Sequence, residues 1–313
     1  MRKADVDTET NKTYADLQVN GYAGVDFSAP ELTETAVRRA AQTLAARGTT
    51  AFCPTIITAP TAVYEHNLPV LAAACESGDL AAQLLGIHLE GPFLSPQPGA
   101  RGCHRVAWMQ LPTPALLEHW QTLARGHIKL LTLAPELPGA CATIRRACAL
   151  GIVVSLGHTN ANEQQILSAV AAGARCATHL GNAFPREAHP RDNAMWWLLG
   201  CDALTAMCIT DGHHLHAAFI KTVLRTKGVD KFIVVSDAAP VAGLPPGAYD
   251  CLGIRVVLEA SGRLSSPDTG TLAGSAATLA ECARHLASLE LLTAAQLRQV
   301  TSTNALNLLG ASR

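Results

Sequence analysis

The sequence predicts a closed α/β architecture, a (β/α)8 TIM barrel. Three observations point there. Eight short apolar, β-rich runs recur along the chain. Most of the intervals between them carry helical spacing. Run after run ends in His, Asp, Glu or Asn.

The runs cover residues 15–21, 49–57, 84–91, 128–136, 152–160, 175–182, 204–212 and 231–239. Strands alternating with helices imply a parallel sheet, and uninterrupted stretches such as FIVV at Phe232 suit strands covered on both faces. Between the first two runs, Leu32, Ala36, Val37, Ala40, Ala41 and Leu44 share one helical face, and Gly48 marks the stop. Between the fifth and sixth, Asn160 with Glu163 reads as a capping box, Ile166, Leu167 and Val170 as the apolar stripe, and Gly173 as the end. Eight repeats favour closure over an open doubly wound sheet, and no Gly-rich dinucleotide fingerprint follows the first run. Residues 248–272 break the alternation and read as a hairpin turning at Ser261-Gly262, before helices expected over 275–289 and 293–309.

The whole chain, 1–313, is therefore read as one domain; 49% hydrophobic residues are enough for a single large core. A net charge of -1 and an aromatic content of 4% speak against nucleic acid and anionic membranes as partners. No apolar stretch reaches the ~20 residues of a membrane span, and the polar N-terminus lacks the core of a signal peptide. Ten cysteines without a CxxC pair read as reduced thiols of a cytoplasmic protein.

In such barrels chemistry sits at the C-terminal strand ends. There the sequence offers Asp16, Gln18 and Asn20; His88 and Glu90; Glu136; His158; His179 and Asn182; Asp211, His213 and His214; and Asp237. Burying such groups costs several kcal/mol each unless they are paired or bind a cation. His158 and His179, on adjacent strands, with Glu90 reaching across from the third, make a His2Glu set of the kind that holds one divalent ion with an open position for water. Zinc suits it; iron, cobalt and manganese are also tolerated by such ligands. His88 reads as a supporting residue, Glu136 as a cap or ion-pair partner, and His213 and His216 as solvated.

These residues carry a resemblance. The series DLQVNG, HLEGP, LAPE, GHTNA, THLGNAF, DGHHL, SDA and LAGSAATL, from about residue 15 to 310, resembles the N-acetylglucosamine-6-phosphate deacetylases of the amidohydrolase superfamily. The resemblance implies hydrolysis of the acetamide of an N-acetyl amino sugar, with Glu90, His158 and His179 as metal ligands and Asp237 as acid–base. It implies that His214 contacts the acetyl carbonyl and His104 the sugar, that Asn182 and Ala183 meet the phosphate, and that Ala273 and Gly274 form another wall. Gln18 and Asn20 stand where many amidohydrolases have a metal-binding HxH, so they are assigned to substrate, and a single metal is expected.

The chain departs from the family pattern twice. Most of the small β-sandwich that normally accompanies the barrel is missing, with 248–272 as its candidate remnant; an exposed edge there would suit the homodimer common in the family. The family's phosphate arginine has no residue cleanly in register, leaving Arg186 and Arg191 as candidates. Deacetylation of an unphosphorylated sugar, of another N-acyl compound, or sugar binding without catalysis are the alternatives.

Overall fold

A computed structural model describes residues 13–185 and 187–311. The expected barrel is there. Its strands are β1 (Tyr14–Val19), β2 (Thr49–Ile57), β3 (Ile87–Glu90), β4 (Ile128–Leu133), β5 (Val153–Leu156), β6 (Cys176–Ala177), β7 (Thr205–Ile209) and β8 (Phe232–Val235). Each pairs in parallel with the next in chain order. The last meets the first through a parallel bridge between Val19 and Ala238. Asp237 N donates to Gln18 O at 3.0 Å and Asn20 N to Ala238 O at 2.8 Å on either side of that bridge. The sheet is thus closed, and the open doubly wound alternative is excluded. The strands stop earlier than the apolar runs do, so most polar run ends lie in the first residues of the loops.

Helices α1 (Glu34–Ala46), α2 (Thr61–Glu76), α3 (Pro114–Leu123), α4 (Ala140–Ala149), α5 (Glu163–Ala172), α6 (Ala194–Gly200), α7 (Ala217–Lys227) and α8 (Leu279–Ser288) surround the strands. In α1 the buried residues are Val37, Ala40, Ala41 and Leu44, the face read from the sequence, and the Thr33 hydroxyl caps its start. In α5 the capping box differs: it is Asn162 with Gln165, two residues beyond Asn160 and Glu163. The reason is Glu136, whose carboxylate accepts from Asn160 N at 2.8 Å and so keeps Asn160 in the loop. The final helical stretch runs Ala294–Arg298, then a π-helical turn Gln299–Thr303, then Asn304–Leu308. No described helix is long and apolar enough to cross a membrane.

Two apolar layers hold the assembly. Inside the barrel, Leu17, Cys53, Leu130, Met207, Ile209 and Val235 form one apolar cluster, which Ala305 and Leu306 join. Outside, strand residues such as Phe52, Leu89, Leu131 and Val154 pack on the helices. There Trp120 stacks on Tyr64 with ring centroids 4.4 Å apart. Above the inner layer lies a polar one. His88 Nε2 meets Thr132 Oγ1 at 2.8 Å, and Thr132 continues to Thr178 and Ser155. His88 Nδ1 reaches the Leu17 carbonyl at 3.1 Å. His88 is therefore a structural residue, fully buried and pushed down to about 4 chiefly by that burial, so it is neutral.

The excursion after β8 is a three-stranded antiparallel sheet of β9 (Gly247–Cys251), β10 (Ile254–Leu258) and β11 (Leu264–Ser265). The turn at Ser261-Gly262 joins β10 to β11. A second turn, at Leu252-Gly253, joins β9 to β10 and was not read from the sequence. Both of its residues have positive φ, 54° and 72°, as a tight hairpin requires. Among the described residues no sandwich domain accompanies the barrel; the other sheet is the ribbon Gly21–Tyr22 with Val25–Asp26.

Candidate active site

Glu90 is the last residue of β3, where the strand alternation turns its side chain inward with that of His88. His158 and His179 lie two residues beyond β5 and β6, and Asp237 two beyond β8. Each of those three adopts a left-handed backbone, with φ of 50°, 27° and 52°. A non-glycine residue held there costs on the order of 1–3 kcal/mol. The bend swings the side chain from the barrel wall over its mouth, and it recurs at the three loop positions whose side chains converge.

They converge closely. Glu90 Oε1 lies 3.1 Å from His158 Nε2 and 3.0 Å from His179 Nε2, and the two nitrogens are 3.0 Å apart. The other ring nitrogen of His158 faces the Ala100 carbonyl at 3.0 Å, so Nδ1 carries its proton. In the neutral ring Nε2 is then a lone pair, aimed at a carboxylate oxygen. Two acceptors facing each other repel unless a cation lies between them. The spacing is close to the edge of about 3.3 Å expected between tetrahedral ligands at ~2.0–2.1 Å from zinc. The donor set thus fits a divalent ion. His104 is a further imidazole nearby: Glu90, His104 and His158 each bring one ligand atom within 4.8 Å of the others. Its Nε2 is 3.9 Å from Glu90 Oε2, a longer reach than the 3.0 Å of His179.

Burial and proximity set the charges. Burial alone would raise the Glu90 carboxyl, but the imidazoles of His158 and His179 beside it outweigh burial and hold the carboxylate well below the usual range. Asp237 goes the other way: burial, then the charge of Glu90, push it up to about 6. Burial and the neighbouring His158 push His104 down to about 3, so it is neutral.

Gln18 links the two acids. Its Nε2 donates to Glu90 Oε1 at 2.8 Å and to Asp237 Oδ1 at 2.9 Å, and Asn20 Nδ2 donates to the same Asp237 oxygen at 2.8 Å. The amide oxygens of Gln18 and Asn20 are buried and find no hydrogen-bond partner among the described residues.

A cavity of about 290 Å³ opens above this cluster. Asn20, Glu90, His104, His158, His179, Asn182, Ala183, His214, Asp237 and Gly274 line it, as do Leu252, Thr271 and Leu272 from the excursion sheet and its flank. Gly102 closes in on the ligand rings: a Cβ there would stand 3.0 Å from His158 Cε1, so the loop needs glycine to come so near. Of the other residues singled out in the sequence, Gln18 lies fully buried beneath the floor. Ala273 is fully buried in the apolar cluster of the excursion sheet, beside the wall and not on it. Arg191 sits on an exposed loop outside the cavity lining, and Arg186 lies outside the described residues.

One functional contact escaped sequence reasoning. His214 Nδ1 meets Asp211 Oδ2 at 2.8 Å, with Asp211 itself almost fully buried. Asp211 was legible as a strand-end residue, but its partner depends on a loop turn that the spacing does not show.

The amidohydrolase family model matches residues 9–313. The chain is 36% identical over 271 residues to an N-acetylglucosamine-6-phosphate deacetylase of Bacillus subtilis, covering 84% of this chain and 66% of the relative. It is 34% identical over 308 residues to the Danio rerio protein of the same name, covering 96% and 75%. The match spans only 57% of the length of the Lysinibacillus sphaericus relative and 66% of the Bacillus subtilis one. Among solved structures it resembles N-acetyl-D-glucosamine-6-phosphate deacetylase from Mycobacterium smegmatis, with a TM-score of 0.87 at 29% identity over 96% of this chain and 78% of that one. A mutant of the same enzyme in complex with N-acetyl-D-glucosamine-6-phosphate gives 0.87 at 28% identity, over 96% and 77%.

Proposed function

This chain belongs to the amidohydrolases and, within them, to the N-acetylglucosamine-6-phosphate deacetylase family; from that membership we propose that it hydrolyses N-acetylglucosamine-6-phosphate to glucosamine-6-phosphate and acetate. The observation that carries the reading is the Glu90–His158–His179 triangle at 3.0–3.1 Å with Asp237 beside it, joined through Gln18.

Glu90, His158 and His179 would hold one divalent ion, read as zinc from the donor set. Such an ion supplies the positive charge that makes an amide carbonyl electrophilic and water acidic. Asp237 takes the proton of the attacking water and returns it to the departing amine nitrogen. Its raised position suits both halves of that task, because a carboxylate too acidic would not carry the proton. His214, across the cavity, donates to the carbonyl oxygen as it gains charge, a role typically worth ~2.7–4 kcal/mol. His104, neutral and buried, contacts the sugar. Asn182 and Ala183 face the phosphate end, while Gln18 and Asn20 act on the substrate through the acid they orient. An adjoining cavity of about 450 Å³ shares Gly99, Gly102 and Thr271 with the site and is lined by Arg101. Arg101 lines a cavity that adjoins the site while Arg191 lines neither, and Arg101 is the better candidate for the phosphate.

Two finer readings accompany this one. Leu167 and Trp196, on the neighbouring helices α5 and α6, are 48% and 44% exposed, an apolar face of the kind a homodimer covers. All ten cysteines are free thiols, in keeping with a cytoplasmic protein.

The test is acetate release by the metal-loaded protein from N-acetylglucosamine-6-phosphate and from N-acetylglucosamine. Turnover of the phosphate ester is expected. Turnover of the free sugar alone would discard the phosphate assignment, and silence on both with metal bound would overturn the reading.

A further inference from the structure

Asp211 follows β7 by two residues and sits under the wall of the cavity. Its carboxylate is saturated. Oδ1 accepts the backbone N–H groups of His213 and His214, each at 2.9 Å. Oδ2 accepts His214 Nδ1–H at 2.8 Å and the Ser275 hydroxyl at 3.0 Å. Four donors on two oxygens, with 2% of the side chain exposed, leave it no freedom to turn. Burial would raise this carboxyl, yet the hydrogen bond and charge of His214 prevail and hold it well below the usual range. Ser275 couples the cluster to the acid–base: its backbone N–H donates to Asp237 O at 2.9 Å.

A carboxylate can only accept, so the proton of this pair lies on His214 Nδ1. The remaining nitrogen, Nε2, is the one the ring offers to the cavity it lines. A neutral ring protonated at Nδ1 has no hydrogen on Nε2 and cannot donate to a carbonyl oxygen. A ring protonated at both nitrogens can, and Asp211 is the counter-ion that such a ring needs. Asp237 is the other acid whose charge His214 senses.

We propose that Asp211 is the positioning residue of the reaction: it holds a proton on His214 Nδ1, fixes the orientation of the ring and balances its charge when it donates from Nε2. The proposal rests on the amide-hydrolysis reading given above. Asp211 touches no substrate; it acts through His214.

The experiment compares the metal-loaded wild type with Asp211→Asn and Asp211→Glu, following acetate release from N-acetylglucosamine-6-phosphate and the 15N resonances of His214. Asp211→Asn should lower kcat by about 10²-fold or more, the scale on which loss of an oxyanion donor acts, with KM within about threefold of wild type. Asp211→Glu should recover at least about tenfold of that loss, since it restores the charge. The pH at which the second His214 ring nitrogen takes its proton, read from those resonances, should fall in the Asn variant. A folded Asp211→Asn protein with kcat within about threefold of wild type would overturn the proposal, and so would an unchanged protonation pH at His214. If Asp211→Asn does not fold, Ser275→Ala serves, because it removes one donor and keeps the carboxylate. It should cost about three- to tenfold in kcat at constant KM, as one hydrogen bond does, and no loss would overturn the proposal. A wild type that releases no acetate would sink the substrate reading alone; the 15N arm would still decide the role of Asp211.

Discussion

Gln18 and Asp237, 219 residues apart in the chain, meet across 2.9 Å, and the same amide group also reaches Glu90 at 2.8 Å. One uncharged donor thereby bridges two acids whose mutual repulsion it offsets in part. Hydrogen bonds to charged groups contribute about 1.5–3 kcal/mol. Gln18→Leu keeps the volume and removes the donor. It should lower kcat by about tenfold or more, with the fold intact by circular dichroism. An unchanged kcat would show that Gln18 only fills space.

Asp237 works as a base only when ionised. With the carboxyl raised to about 6 by burial and by Glu90, kcat/KM should fall as pH drops through that region. A bound cation adds positive charge and moves the limb lower, so its midpoint at saturating metal should lie at or below about 6. Asp237→Asn should lose at least about 10²-fold. A limb centred well above 6, or a variant that keeps most of its activity, would remove Asp237 from the role.

The eight strands were legible because burial on both faces leaves continuous apolar runs, and the site was legible because polar residues interrupt those runs at one end only. Glu90, His158, His179 and Asp237 could be picked for that reason. What failed to show depends on loop conformation. Asn160 and Asn162 are both good caps by composition, and only the Glu136 carboxylate in space decides between them. The Leu252-Gly253 turn lacks the Asn or Asp that usually marks such a hairpin, so β9 went unread. Asp211 is one of several strand-end acids in the sequence, and nothing in its spacing shows that it serves His214.

Asp16, on β1 and 1% exposed, accepts from Gln18 N at 3.2 Å and Ser236 N at 3.1 Å. Burial outweighs those bonds and raises it from 3.8 to about 7. The folded protein therefore keeps a proton that the unfolded chain loses near pH 4. The stabilisation this gives is complete below that pH and drains away as pH rises towards about 7. Asp16→Asn has no such group to titrate. Its Tm relative to wild type should therefore be higher at pH 8 than at pH 5, and a constant difference would contradict the raised value.

Gly274 has φ of 68°, and a Cβ there would stand 3.0 Å from Asp237 O and 3.3 Å from the Ala239 Cβ. Gly274→Ala should displace the Asp237 segment. We expect a loss of about tenfold in kcat, the size of effect a small misplacement of a reacting group produces, and about 1–2 kcal/mol of stability in urea melts. Wild-type kcat in the variant would show that this backbone contact yields without moving the acid.

The Val19–Ala238 bridge closes the barrel across most of the chain, with seven strands following the first before the seam is reached. Seven of the eight junctions in the ring can form between neighbours in sequence, each strand docking on the one before. The seam cannot, because it unites the first strand with the eighth, and long-range pairings of this kind are slow to form. The ligand triangle belongs to the early, local part of that order, while Gln18, Asn20 and Asp237 come together only at the seam. A folding chain therefore acquires the means to bind an ion before the means to use it, and the onset of turnover during refolding should lag behind the binding of metal.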